Sequence, residues 1–234
     1  MNAILLAAGR GTRLHSVEPD VAKVLVEISG EPLLERQLRY LVNQGISRVV
    51  INAHHLADQV VAYAAQHRGS PELVVIVEEE LLGTAGGVRN ALEALGDKPF
   101  VVLYGDVITA EPLAPLAERH WRSGAVATLA VYESVETEGK GTIRVDDAGI
   151  VLGFTEKPTR AGTETALINA GLYVLEPGFA REIPAGTHSD FGHDVFPQAL
   201  ARGRRLATHR LSQPVLDVGL PATLALARAR GRFQ

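Results

Sequence analysis

Four times in the first half of this chain a short apolar run passes within a few residues into a helical pattern, and that alternation restricts the fold more than any other feature. The runs are Ala3 to Ala7, Val49 to Ile51, Leu73 to Val77 and Phe100 to Tyr104. They are apolar throughout rather than alternating, which is the pattern of strands buried on both faces. After the first run, Leu33, Leu34, Leu38, Leu41 and Val42 share one helical face behind Pro32, and Gly45 stops the helix. Leu56 to Gln66, about Ala85 to Leu95, and Leu113 to Ser123 read as the helices after the second, third and fourth runs. Connections this short argue for a mainly parallel sheet covered on both faces by helices.

The second half differs. Val126 to Val131, Thr142 to Val145, Val151 to Thr155 and Leu167 to Val174 read as strands, with turn chemistry at Asp146-Asp147-Ala148-Gly149. Helices are expected from about Asp194 to Ala201 and from Pro221 to Arg230. The whole predicts an α/β three-layer sandwich with a mixed, mainly parallel central sheet. No repeat or linker divides it, so residues 1–234 are read as one domain.

Bulk properties remove several functions. A formal net charge of −4 gives no field to draw nucleic acid. The absence of cysteine excludes disulfides and thiolate metal sites. The first apolar run is about six residues, against the roughly 20 that span a bilayer, and it lacks the basic start of a signal peptide. A cytoplasmic enzyme with no membrane partner is expected.

Ligands of such sheets bind beyond the carboxyl ends of the strands. There, after the first strand, stands Ala8-Gly9-Arg10-Gly11-Thr12. Glycines let backbone N–H groups approach phosphate oxygens, Arg13 can add a bidentate clamp, and Lys23 a point charge. Alone, the segment reads equally as a glycine-rich turn with surface cations. It matches neither a dinucleotide fingerprint nor a P-loop.

Leu6 to Leu14 (LAAGRGTRL), with Lys23 downstream, resembles the signature of the sugar-phosphate nucleotidyltransferases. Further matches follow in order: Glu78 to Gly87 (EEELLGTAGG), Gly105-Asp106, Glu156-Lys157-Pro158, Asn169-Ala170-Gly171 and Asp217-Val218-Gly219-Leu220-Pro221. Within the family the chain resembles the short bacterial heptose 1-phosphate or mannose 1-phosphate guanylyltransferases. It departs where Ala22 and Val24 replace prolines beside Lys23, and where Ala8 replaces a glycine. The resemblance implies a Rossmann-like, GT-A-like fold, with nucleotide bound by about residues 1–125 and sugar phosphate by about residues 126–234. The expected product is a nucleoside-diphosphate sugar, formed with release of pyrophosphate.

By the same resemblance, Leu6, Ala7, Ala8, Gly9, Gly11, Thr12, Arg13, Glu78, Gly83 and Thr84 bind the nucleotide. Arg13 and Lys23 carry the catalytic charge, and Asp106 and Asp217 hold Mg²⁺. Gly141, Glu156, Lys157, Asn169 and Gly171 take the sugar phosphate. Nucleotidyl transfer is mostly positioning and charge neutralisation, and magnesium takes one or two carboxylates plus substrate phosphates. Either aspartate alone reads equally as a turn or helix cap. A carboxylate at Glu78 offers only acceptors, which suits the paired N–H donors of guanine and favours GTP. Glu78, Glu79 and Glu80 also read as a solvated acidic stretch, and Gly141 and Gly171 as strand irregularities.

Other signals are discounted. His54-His55, His188 and His193 lack metal-ligand spacing and read as loop, helix-start or surface groups. Arg228, Arg230 and Arg232 read as a solvated helix end, and Leu116 and Trp121 as core. Two alternatives keep the fold and change the substrates: a uridylyltransferase, or a cytidylyltransferase acting on an alcohol phosphate. A third is a silent nucleotide-sugar sensor, which retention of Arg13, Lys23, Asp106 and Asp217 disfavours. Soon after Asp217 the chain ends, so a single activity is expected, in a monomer or a homo-oligomer.

Overall fold

The computed structural model describes residues 1–14, 17–156 and 165–230. Its first half runs β1 (Ala3–Leu6), a hairpin of β2 (Glu27–Ile28) and β3 (Glu31–Pro32), α1 (Leu33–Asn43), β4 (Arg48–Ala53), α2 (Ala57–Gln66), β5 (Glu72–Val77), α3 (Gly83–Asn90), α4 (Leu92–Leu95), β6 (Phe100–Tyr104), β7 (Val107–Ile108) and α5 (Leu113–Ser123). The second runs β8 (Ala127–Ser134), β9 (Thr142–Val145), β10 (Val151–Thr155), β11 (Ala166–Leu175), α6 (Pro177–Arg181), α7 (Phe196–Ala201), β12 (Leu206–Arg210), β13 (Leu216–Asp217) and α8 (Pro221–Arg230).

The mixed central sheet has the order β10-β9-β11-β6-β1-β4-β5, with β8 on β11 and β12 on β8. β6, β1, β4 and β5 pair in parallel, as short βα units require. β11 joins them antiparallel to β6 and fuses the two halves into one sheet. Side chains alternate across it. Ala3 and Leu5 pack with Leu34, Leu38 and Leu41 of α1, Val60 of α2 and Leu116 of α5. Ile4 packs on the opposite face with Val88, Leu92, Phe179 and Phe196. Both faces of β1 are therefore core, which is why its sequence is apolar without alternation.

A third cluster joins the ends of the chain. Leu14, Val26, Ile28, Leu33, Ile108 and Val218 pack with Leu224 and Ala227 of α8. This seats the segment after the glycine loop and the segment carrying Asp217 on a common support.

Several expectations change. The helix read over Ala85 to Leu95 begins at Gly83 and divides at Ala91 into α3 and α4. The helix read from Asp194 starts as a π-helical turn over Phe191–Val195. Trp121 is not core: it is 63% exposed, because Leu113, Leu116, Ala117 and His120 form the buried stripe of α5. Arg228 is not simply solvated, since it donates to the carbonyl of Glu27 and pairs with Glu18 at 2.7 Å. Arg232 lies outside the described residues.

Candidate active site

The glycine loop leaves β1 beside the end of β6, and Gly105 explains how close the two can come. Its N–H donates to the Leu6 carbonyl at 2.9 Å, and a Cβ there would lie 2.5 Å from that same oxygen. Asp106 follows at once. Gln37 of α1 holds the turn from below, its amide donating to the carbonyls of Tyr104 and Val107 at 3.1 and 2.9 Å. Gly11 has φ of +61°, so a left-handed position turns the loop back over Lys23.

Lys23 forms an ion pair with Asp106. Asp217 reaches the same place from β13, which pairs with β7 just after Asp106. A Cβ on Gly219 would stand 2.7 Å from Asp217 Oδ1, 3.0 Å from an Arg13 guanidinium nitrogen and 3.0 Å from Lys23 Nζ. Two carboxylates and two cations thus converge around one backbone position. Desolvation and the neighbouring Asp106 charge push the Asp217 carboxyl above its usual range, against the Gly219 N–H, Lys23 and Arg13. A divalent cation placed here would relieve the charge on Asp217. Among the described residues no third Asp, Glu or His joins it. Two carboxylates completed by substrate phosphates are a suitable donor set for magnesium.

Two cavities open on this cluster. The first, about 390 Å³, is bordered by Leu6, Ala7, Ala8, Gly9, Gly11, Thr12, Arg13, Lys23, Gly83, Thr84 and Asp106. The second, about 360 Å³, is bordered by Gly141, Glu156, Asn169, Gly171 and Asp217. Arg13, Thr84, Tyr104, Asp106 and Asp190 border both. Lys157 lies outside the described residues.

Glu78 is the exception. It is 3% exposed and borders neither cavity. Its Oε1 accepts from Asn52 Nδ2 at 2.6 Å and its Oε2 from the Leu82 N–H at 3.1 Å. A buried carboxylate takes the donors at hand, so in this structure it braces the wall of the cleft rather than presenting acceptors to a base.

The glycines of the second cavity have structural causes as well. A Cβ on Gly141 would lie 2.9 Å from Glu156 Oε2, and one on Gly192 only 2.1 Å, so both make room for that carboxylate. Gly171 has φ of +68° and lies against the Tyr104 ring, where the register of β11 on β8 shifts. Asn169 accepts from the Gly171 N–H at 3.3 Å and donates to the Tyr173 hydroxyl at 2.7 Å.

Several residues at the site escape a reading of the sequence. Asn52 accepts from the Ala7 N–H at 2.8 Å, and its only sequence signal is a polar residue inside a buried strand. Asp190 Oδ1 accepts from both the N–H and the hydroxyl of Thr84, at 3.1 and 3.0 Å. Beside it the Ser189 carbonyl accepts from the N–H groups of Ala85 and Gly86. The chain thereby caps α3 with its own segment. His188 and His193 border the first and second cavities respectively, on exposed side chains.

No helix among the described residues is long and apolar enough to cross a membrane. The family model described as nucleotidyl transferase matches residues 2–229. The chain is 31% identical to a UTP–glucose-1-phosphate uridylyltransferase of Synechocystis, over 94% of this chain and 60% of that protein. It is 33% identical to a mannose-1-phosphate guanylyltransferase catalytic subunit beta of Drosophila pseudoobscura, over 94% and 59%. The chain thus spans about 60% of the length of these curated relatives. Among solved structures it superposes on HddC from Yersinia pseudotuberculosis, complexed with GMP-PN, with a TM-score of 0.84, 26% identity and 98% of each chain covered. With the glycine loop, the aspartate pair and the twin cavities in one mixed sheet, the chain belongs to the nucleotidyl transferase family.

Proposed function

We propose that the protein transfers a nucleoside monophosphate, from GTP by preference, to a sugar 1-phosphate such as D-manno-heptose or mannose 1-phosphate, releasing pyrophosphate. The observation that carries this reading is the wall common to the two cavities. Arg13 and Asp106 border both, so two phosphorylated substrates would meet at one charged position. Proximity of that kind is the main resource of phosphoryl chemistry.

In this reading an oxygen of the sugar phosphate attacks the α-phosphorus in line. A new P–O–P bond forms, the α–β bridging P–O bond breaks, and the electron pair leaves with pyrophosphate. Arg13 would neutralise the leaving group, and Lys23, exchanging Asp106 for phosphate, would stabilise charge near the reacting centre. Lys157 and Asn169 would hold the sugar phosphate. Asp106 and Asp217 would hold Mg²⁺, which when bound supplies charge neutralisation and orients phosphate oxygens. A phosphate is already ionised near neutral pH, so no side chain need act as general base.

The guanine preference rests on the neighbour solved with GMP-PN and on the guanylyltransferase relatives. The Glu78 side chain, turned to Asn52 and Leu82, does not contribute to it. A uridylyltransferase is the second reading, favoured by the Synechocystis relative. Pyrophosphate release assayed with four triphosphates against a panel of sugar 1-phosphates separates them. GTP-dependent turnover with a manno-configured substrate is expected. Turnover with UTP alone selects the second reading, and no turnover despite ligand binding sinks both.

A further inference from the structure

Asn169, which borders the second cavity, rests on a line of two tyrosine hydroxyls. Asn169 Nδ2 donates to the Tyr173 hydroxyl at 2.7 Å, and Tyr173 donates to the Tyr104 hydroxyl at 3.2 Å.

The direction of this chain follows from counting hydrogens. Each hydroxyl has one proton to give. Tyr173 gives its proton to Tyr104, so toward Asn169 its oxygen can only accept. Asn169 is then required to offer Tyr173 an N–H, not its oxygen. Its Oδ1 is left to the Gly171 N–H at 3.3 Å. One N–H remains for the cavity.

We propose that Tyr173 and Tyr104 are positioning residues that hold the Asn169 amide, fixing which of its edges faces the sugar phosphate. This rests on the reaction proposed above. Tyr173 is fully buried and borders neither cavity, so it acts on substrate only through its neighbours. Without its hydroxyl the Asn169 amide is free to flip. Its ring is held by Tyr104, Phe191 and Phe196 at centroid distances of 5.7, 5.4 and 5.3 Å, packing that phenylalanine preserves.

The test is steady-state kinetics of Tyr173→Phe with the best sugar 1-phosphate of the unaltered protein. The KM for sugar phosphate is expected to rise about tenfold, the scale of one misdirected hydrogen bond. The KM for triphosphate should stay within about twofold and kcat within about threefold. Tyr173→Phe combined with Asn169→Ala should be no worse than Asn169→Ala alone. Tyr104→Phe breaks the next link, should move the same constant, and carries the test if Tyr173→Phe fails to fold. An unchanged sugar-phosphate KM in a folded variant, or multiplying effects in the double variant, overturns the chain alone. Absence of turnover in the unaltered protein overturns the underlying reaction with it.

Discussion

The side-chain amide of Asn52 donates to Glu78 Oε1 across 2.6 Å, while its oxygen accepts from the Ala7 N–H. One buried residue of β4 therefore ties the start of the glycine loop to the wall of the first cavity. Asn52→Ala would leave Glu78 Oε1, buried, without its donor and release the Ala7 N–H. A loss of about 2 kcal/mol or more is expected in denaturant unfolding. A loss below about 0.5 kcal/mol would contradict the bracing role.

Glu78→Gln checks the same pair from the other side. If the carboxylate is a brace, the substitution weakens the fold yet leaves the ranking of the four triphosphates unchanged. Comparing kcat/KM for each triphosphate decides it, and a switched ranking would return Glu78 to direct base recognition.

Asp217 sets stability against turnover. Its carboxyl titrates above the usual range, so its contribution favours the fold below the unfolded pKa and is lost as pH rises through the folded one. Near neutral pH the ionised, ligand-free form is thus a small liability, screened because the carboxylate is accessible. Asp217→Asn should raise Tm slightly without ligands while lowering turnover by about a hundredfold. Asp106→Asn should lower turnover similarly. Chelation of divalent cations should abolish turnover and leave Tm unaltered. Thermal melts and initial rates on the same preparations check all three.

His120 predicts a pH dependence. It is buried, with Thr128 Oγ1 2.9 Å from Nδ1 and Glu176 Oε1 3.3 Å from Nε2, and desolvation holds its pKa below the ordinary value despite Glu176. The neutral form belongs to the fold, so the unfolded chain binds more protons below about pH 6.5 and stability falls as pH drops. His209, depressed by the same cause, adds to this. His120→Gln should flatten part of the Tm slope between pH 7.5 and 5.5, and an unaltered slope would refute the assignment.

Gly219→Ala probes the convergence of charges. Its Cβ would intrude within about 3 Å of Asp217, Arg13 and Lys23. Displacement of aligned groups by about an ångström costs on the order of a hundredfold in rate. Turnover should fall steeply while far-ultraviolet circular dichroism stays the same.

The layers of the fold were legible because burial on both faces leaves a local mark: Ala3 to Leu6 or Phe100 to Tyr104 must be apolar at every position. The glycine loop and Asp106 were legible because each follows such a strand directly. Asn52, Tyr104, Tyr173 and Asp190 were not. Each is a lone polar or aromatic residue whose partner is remote in sequence, as Thr84 is 106 residues from Asp190, and no local periodicity encodes such a pair. Glu78 shows the converse limit. Its type suited a base edge, but burial beside Asn52 decided where its oxygens turned. Trp121 was misread because a large apolar side chain carries no label for the side of a helix it occupies.

The packing of Leu14 with Val218 and α8 has a consequence for how the site fails. Local opening of α8 would loosen the stem of the glycine loop and the segment bearing Asp217 together, while the nine-stranded sheet stays closed. Competence would then be governed by a smaller unit than the fold. On warming, the protein would fall silent while its global structure still stood, and would recover as soon as that last helix re-docked.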